Sequence, residues 1–266
     1  MEPLLYHAPF TDIVSDLDLD ELTPADENTS RAISRLADWE DPCTSIARCE
    51  QPDPQQPGRS DHFHLVYDDL RAEQGKPSFA GVHLEVDQNT GQFRVTVRDE
   101  PMSVLAEAWL IARGADPEQL RERIQPSEFN AADAETAAAE DLLRHAGTRF
   151  DVHDSASPAD TPFVTWVIAA DREAPDAARP VAVFVGHRQP DTEAFTLRIG
   201  HFADIEDAYS WTRNPFAPLP QPGRPGDART DAARLDRRPR TQHGPAAPGD
   251  QPAGTTQPTP GAARHR

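Results

Sequence analysis

Three histidines and a glutamate stand close together in this sequence: His62, His64, His83 and Glu85. All four lie in stretches that alternate apolar and polar residues, the pattern of a half-buried strand. If Phe63, Leu65 and Tyr67 face Val86, Leu84 and Val82 across an antiparallel pair, the opposite face gathers the polar neighbours. His62 then stands opposite Asp87 and His64 opposite Glu85, with His83 beside them and Arg94, Thr96 and Arg98 on the next strand. Imidazoles and carboxylates on one sheet face can hold a divalent cation, and the arginines can hold an anion. The same residues also make ordinary cross-strand ion pairs on solvated faces, where each contributes only tenths of a kcal/mol or so. That plainer reading is the expectation, with no metal, no cofactor and no catalytic residue assigned. His62, His64, His83 and Glu85 are kept as the metal candidates.

A second set of ligand types is Cys43-x5-Cys49 followed by His62-x-His64. Structural zinc sites use tighter C-x2–4-C spacing, and the proline-rich gap between these pairs is loose, so two reduced thiols are expected. Catalytic signatures are missing: the sequence has no G-x-S-x-G, P-loop, G-x-G-x-x-G or H-E-x-x-H. Carboxylates are so abundant that no acid–base pair stands out, and the balance is against an enzyme.

The elements that would position these residues centre on Val82 to Val97. Val82, Leu84 and Val86 alternate with polar residues, as do Phe93, Val95 and Val97, and Asn89-Thr90-Gly91 supplies the turn between them. A strand from His62 to Asp68 precedes this hairpin and a short one from Thr44 to Glu50 precedes that. A helix capped by Thr29 or Ser30 runs to Asp38, and another follows from Ser103 with Trp109 placed to cover the hairpin. Asp116-Pro117 opens a further helix. A second set follows: a helix over 131–145, strands at 150–153, 163–170, 181–185 and 195–199, and a last helix from Asp204 to Trp211.

Placing Val82, Leu84 and Val86 on Val181, Val183 and Val185, then Phe93 on Phe195 after a turn three residues longer, also brings Trp109 onto Trp211. The fold expected is therefore α+β, with two tandem antiparallel-sheet units each flanked by helices, consistent with an internal duplication. The boundaries expected are an acidic-hydrophobic segment at 1–26, units at 27–125 and 126–215, and a disordered Pro/Gly/Arg-rich tail at 216–266, which lacks the apolar residues to offset ordering. Neither half carries a motif of a named family.

Charge narrows the partners. The 266 residues carry a formal net charge of −19 with 37% hydrophobic residues, against roughly 45–50% apolar in a typical globular domain when glycine is counted. The tail from Phe216 holds eight arginines and four aspartates; removing its net +4 leaves −23 on residues 1–215. Such a body lacks the basic face that phosphate contacts need. It suits a basic protein partner, and the function expected is a non-enzymatic protein-binding or regulatory module. Asp16, Asp18 and Asp20 alternate with apolar residues in a segment suited to docking. Trp166 and Phe184 join them as interface candidates, because apolar side chains on the outer face of the second sheet call for a cover, the first half or a second copy of the chain among the options. Two alternatives stand: a metal-dependent protein or enzyme using the His/Glu face, and a nucleic-acid-associated protein acting through the arginine tail. No apolar run reaches the roughly 20 residues of a membrane span, and two cysteines with no leader pattern point to the cytoplasm.

Overall fold

The same order of elements occurs twice along the chain. The computed structural model describes residues 21–37, 43–68, 70–71, 74–122, 130–157, 163–189 and 194–220. The first half runs β1 (Thr23–Pro24), α1 (Glu27–Ala37), β2 (Cys43–Pro52), β3 (Arg59–Asp68), β4 (Phe79–Asp87), β5 (Gln92–Glu100), α2 (Ser103–Ile111) and α3 (Pro117–Arg121). The second runs β6 (Asn130–Ala131), α4 (Ala134–Arg144), β7 (Phe150–Ala156), β8 (Val164–Asp171), β9 (Val181–Gln189), β10 (Ala194–Phe202) and α5 (Ile205–Thr212). Both halves fall within one compact unit. The acidic segment from Asp16 to Asp20, the boundary at 125–126 and the tail beyond residue 220 lie outside the described residues.

Each half builds a five-stranded sheet, in order β1-β5-β4-β3-β2 and β6-β10-β9-β8-β7. Four strands are antiparallel, and the two-residue strand that opens each half adds in parallel to the last one. Correspondence extends to local detail. The edge strand of each sheet carries a bulge at the same place, between Ser45 and Ala47 and between Val152 and Asp154. Helix starts also match. Asp26 Oδ1 accepts the N–H and hydroxyl of Thr29 at 2.7 and 2.9 Å, and Asp133 Oδ1 accepts both from Thr136 at 2.8 Å. An aspartate at the N-cap satisfies amides that the first turn leaves without partners. The cap of α1 is thus Asp26, three residues before the expected Thr29, whose buried hydroxyl serves the cap instead.

Helices pack on both faces of each sheet. In the first sheet, Val66, Ala80, Val82, Leu84, Val86, Phe93 and Val95 pack beneath Ile33 and Leu36 of α1. On the other face, Ile46, Phe63, Leu65 and Phe79 pack beneath Ala106, Trp109 and Leu110 of α2 and Leu120 of α3. Helix α2 is apolar nearly all round, which suits a helix buried on both sides. Its Val104 and Leu105, with Met102 just before the helix, pack against Val167, Ala169, Ala182, Phe184 and Leu197 of the second sheet, beside Ala139 and Leu143 of α4. The last face, with Val164, Trp166, Ile168 and Val183, lies under Ala208 and Trp211 of α5 and Leu219. The layers therefore read helix, sheet, helices, sheet, helix.

Two expectations change here. The hairpins β4–β5 and β9–β10 have turns of equal length, with Asp87 paired to Gln92 and Gln189 to Ala194. Because Val82 pairs with Val97 and Phe184 with Ile199, Phe184 is the counterpart of Val82, not an outward neighbour. Sliding β9 by three residues swaps its faces, since side chains alternate with period two. The paired tryptophans do both cover their own sheets, but Trp109 is 8% exposed and Trp211 only partly buried.

Candidate functional site

The register of β3 against β4 decides which polar residues meet. Asp61 pairs with Glu85, His62 with Leu84, Phe63 with His83, His64 with Val82 and Leu65 with Gly81. This differs by three residues from the register expected, so the three histidines divide between the faces. His62 and His64 point to the α1 side with Val82 and Leu84, and both are buried. The His62 Nε2 lies 2.8 Å from the Ser60 hydroxyl. Burial lowers the pKa of both rings; His64 falls to about 4, with His62 and Arg48 adding to the effect. These two are packed, neutral side chains and not ligands. Cys49 is buried on the opposite face with Phe63, so no Cys49–His62–His64 site exists, and the side chain of Cys43 is not among those described.

His83 and Glu85 stay together on the α2 side, and Asp61 joins them. The ligand atoms of Asp61, His83 and Glu85 all lie within 4.8 Å of one another. His83 Nε2 is 3.0 Å from Asp61 Oδ1. The imidazole stacks flat on the buried Phe63 ring, 4.6 Å between centroids and 3° between planes. Beyond Glu85, Arg94 Nη1 donates to Glu85 Oε2 at 3.1 Å and Arg94 Nε to Asp26 Oδ2 at 3.2 Å. Asp26 is held below the usual carboxylate range chiefly by the Thr29 N–H, so one carboxylate caps α1 and anchors the arginine. A polar cavity of about 190 Å³ opens beside this group, lined by Asp53, Arg59, Asp61, Glu85, Asp87 and Arg94.

Sequence reasoning placed Glu85, Arg94, Thr96 and Arg98 together correctly, because the short β4–β5 turn fixes that pairing. It missed Asp61, because nothing local fixes β3 against β4 across the ten residues that separate Asp68 from Phe79. One signal was available in Gly81. A Cβ there would lie 2.7 Å from Trp109 Cε3, so the glycine marks the face on which α2 rests.

The proposed interface residues Trp166 and Phe184 are core. Phe184 has no exposed surface and packs edge-on against Phe150, while Trp166 is 9% exposed. The residues expected on one outer face divide between the two faces of the sheet: Ala182 and Phe184 lie under α2 and α4, and Val164, Trp166 and Ile168 under α5 and Leu219. Comparison with protein-family models, curated proteins and solved structures gives no match for the chain. No helix among the described residues is long and apolar enough to cross a membrane.

Proposed function

We propose that the protein is a non-enzymatic binding module that recognises a basic protein partner, built from two copies of one ancestral unit. The observation that carries the reading is where the positive charge goes. Twelve arginines among the described residues form ion pairs with carboxylates of the same chain, from Arg31–Glu27 to Arg198–Asp133 and Arg198–Glu135. Arg113 lies over the Trp109 ring. Among the described residues most arginine charge is thus matched by a carboxylate, while Glu50, Glu122, Glu173, Glu206 and Asp207 are exposed, in a chain of net charge −19. Exposed carboxylates repel nucleic acid and steer a cationic surface into contact. The shared topology, the matching bulges and the matching Asp–Thr caps support descent of the halves from one unit.

The test is capture of partners from a lysate of the source cell, followed by binding of the purified partner at rising salt. A partner with a basic surface should bind saturably and weaken markedly between about 50 and 200 mM salt, as screening shortens. An acidic partner, or affinity indifferent to salt, would refute the reading.

A further inference from the structure

We propose that Asp61, His83 and Glu85 form a binding site for a divalent transition cation of the zinc type, open to solvent on the side away from the sheet. This site goes beyond the protein-binding reading and does not depend on it.

The spacing suits a metal. Ligands about 2.0–2.1 Å from one ion and roughly 90–110° apart lie about 3.0–3.4 Å from each other. His83 Nε2 and Asp61 Oδ1 already stand 3.0 Å apart. Glu85 offers a third ligand atom within 4.8 Å of each of these two. A cation between them would replace the direct contact of His83 with Asp61.

The ligands are held before any ion arrives. All three sit on the paired strands β3 and β4, which place side chains with less freedom than a loop would. The Phe63 ring fixes the plane of the His83 imidazole by stacking, and Phe63 is itself clamped in the core under α2. Arg94 holds Glu85 and is held in turn by Asp26, the arrangement by which outer partners orient metal-binding carboxylates.

Charge and access agree. Asp61, Glu85 and Asp26 contribute three negative charges and Arg94 one positive, a net of two that a dication would neutralise. The Asp61 and Glu85 side chains are 44% and 46% exposed, whereas His83 is 11% exposed. An ion can therefore enter from solvent past the two carboxylates, and water can complete its shell. Three protein ligands with an open position are the pattern of a reactive or exchangeable zinc site, not of a closed structural one. One imidazole with two carboxylates favours a borderline transition cation over calcium or magnesium, which take all-oxygen shells.

The experiment uses the full chain, stripped with chelator and titrated with zinc chloride by calorimetry, with calcium and magnesium chlorides as parallel arms. Wild type should bind one equivalent of zinc and show a higher melting temperature in its presence. Asp61→Asn combined with Glu85→Gln should weaken binding by well over tenfold, since even an outer partner is worth about 10–100-fold. His83→Gln, which keeps much of the side-chain volume against Phe63, should do the same, and Cys49→Ser should change nothing. Circular dichroism confirms that each variant is folded before its affinity is scored. Absence of stoichiometric zinc binding, retention of it in the folded Asp61→Asn/Glu85→Gln protein, or tighter binding of calcium or magnesium than of zinc would each overturn the proposal.

Discussion

Replacing Arg144 should loosen the joint between the two halves. Arg144 lies in the last turn of α4, with its Nε on Glu107 of α2 and its Nη2 3.2 Å from Glu140 one turn back. Glu107 has no exposed surface, and the Arg144 and Glu140 side chains are 7% and 9% exposed. Burial works against the charged guanidinium, but Glu107 and Glu140 outweigh it and hold it firmly protonated. Arg144→Met keeps most of the aliphatic stem and removes the cation from between two buried carboxylates. Breaking such a group typically costs about 3–5 kcal/mol, a large part of the 5–15 kcal/mol that holds a typical domain together. Urea denaturation at neutral pH measures the loss. A pH series identifies its cause: without the cation a buried carboxylate favours its protonated form, so Arg144→Met should recover part of its deficit as pH falls. Arg144→Met with Glu107→Gln should be less destabilised than the sum of the two single changes by at least about 1 kcal/mol. A cost for Arg144→Met below about 1 kcal/mol, with an unaltered pH profile and an additive double variant, would show that the pair does not hold α2 to α4.

Three further outcomes follow from the core. Burial lowers the His64 pKa to about 4 from a usual 6.5, so the unfolded chain takes up that proton first. The stability tied to the neutral ring is present above pH 6.5 and is lost as pH falls towards 4, by about 3 kcal/mol in all. Denaturation curves of His64→Leu across that window should be correspondingly flatter than wild type; parallel curves would remove His64 from the account. Trp109→Ala should cost about 3–5 kcal/mol, and Trp211→Ala less, because Trp211 is only partly buried. Gly81→Ala should cost about 1–3 kcal/mol by forcing the Trp109 ring off β4, and chemical denaturation that ranks Trp211→Ala above Trp109→Ala would contradict the packing.

Local chemistry alone determined much of this protein. Alternation over Val82–Val86 and Phe93–Val97 marks a hairpin because side chains on a strand point to opposite faces, and a four-residue turn leaves its pairing no freedom. Pro117 after Asp116 marks a helix start in the same way, and Asp116 does accept the Glu118 N–H. Repetition of these local patterns was enough to place two α+β units in tandem. What the sequence did not determine was the slip of β3 on β4 and of β9 relative to its counterpart. A register is legible when one face is apolar and the other polar, since a one-residue slip then exposes the core. Here each sheet is roofed by helices on both sides, and an odd slip exchanges one apolar face for another. Phe184 and Trp166 read as outward for that reason, and lie in the core because α2, α4 and α5 cover both faces. The same slip decided the candidate site. Trp109 of α2 rests on Gly81 of β4, and the register that sets Leu65 opposite Gly81 buries His62 and His64 while bringing Asp61 to His83 and Glu85.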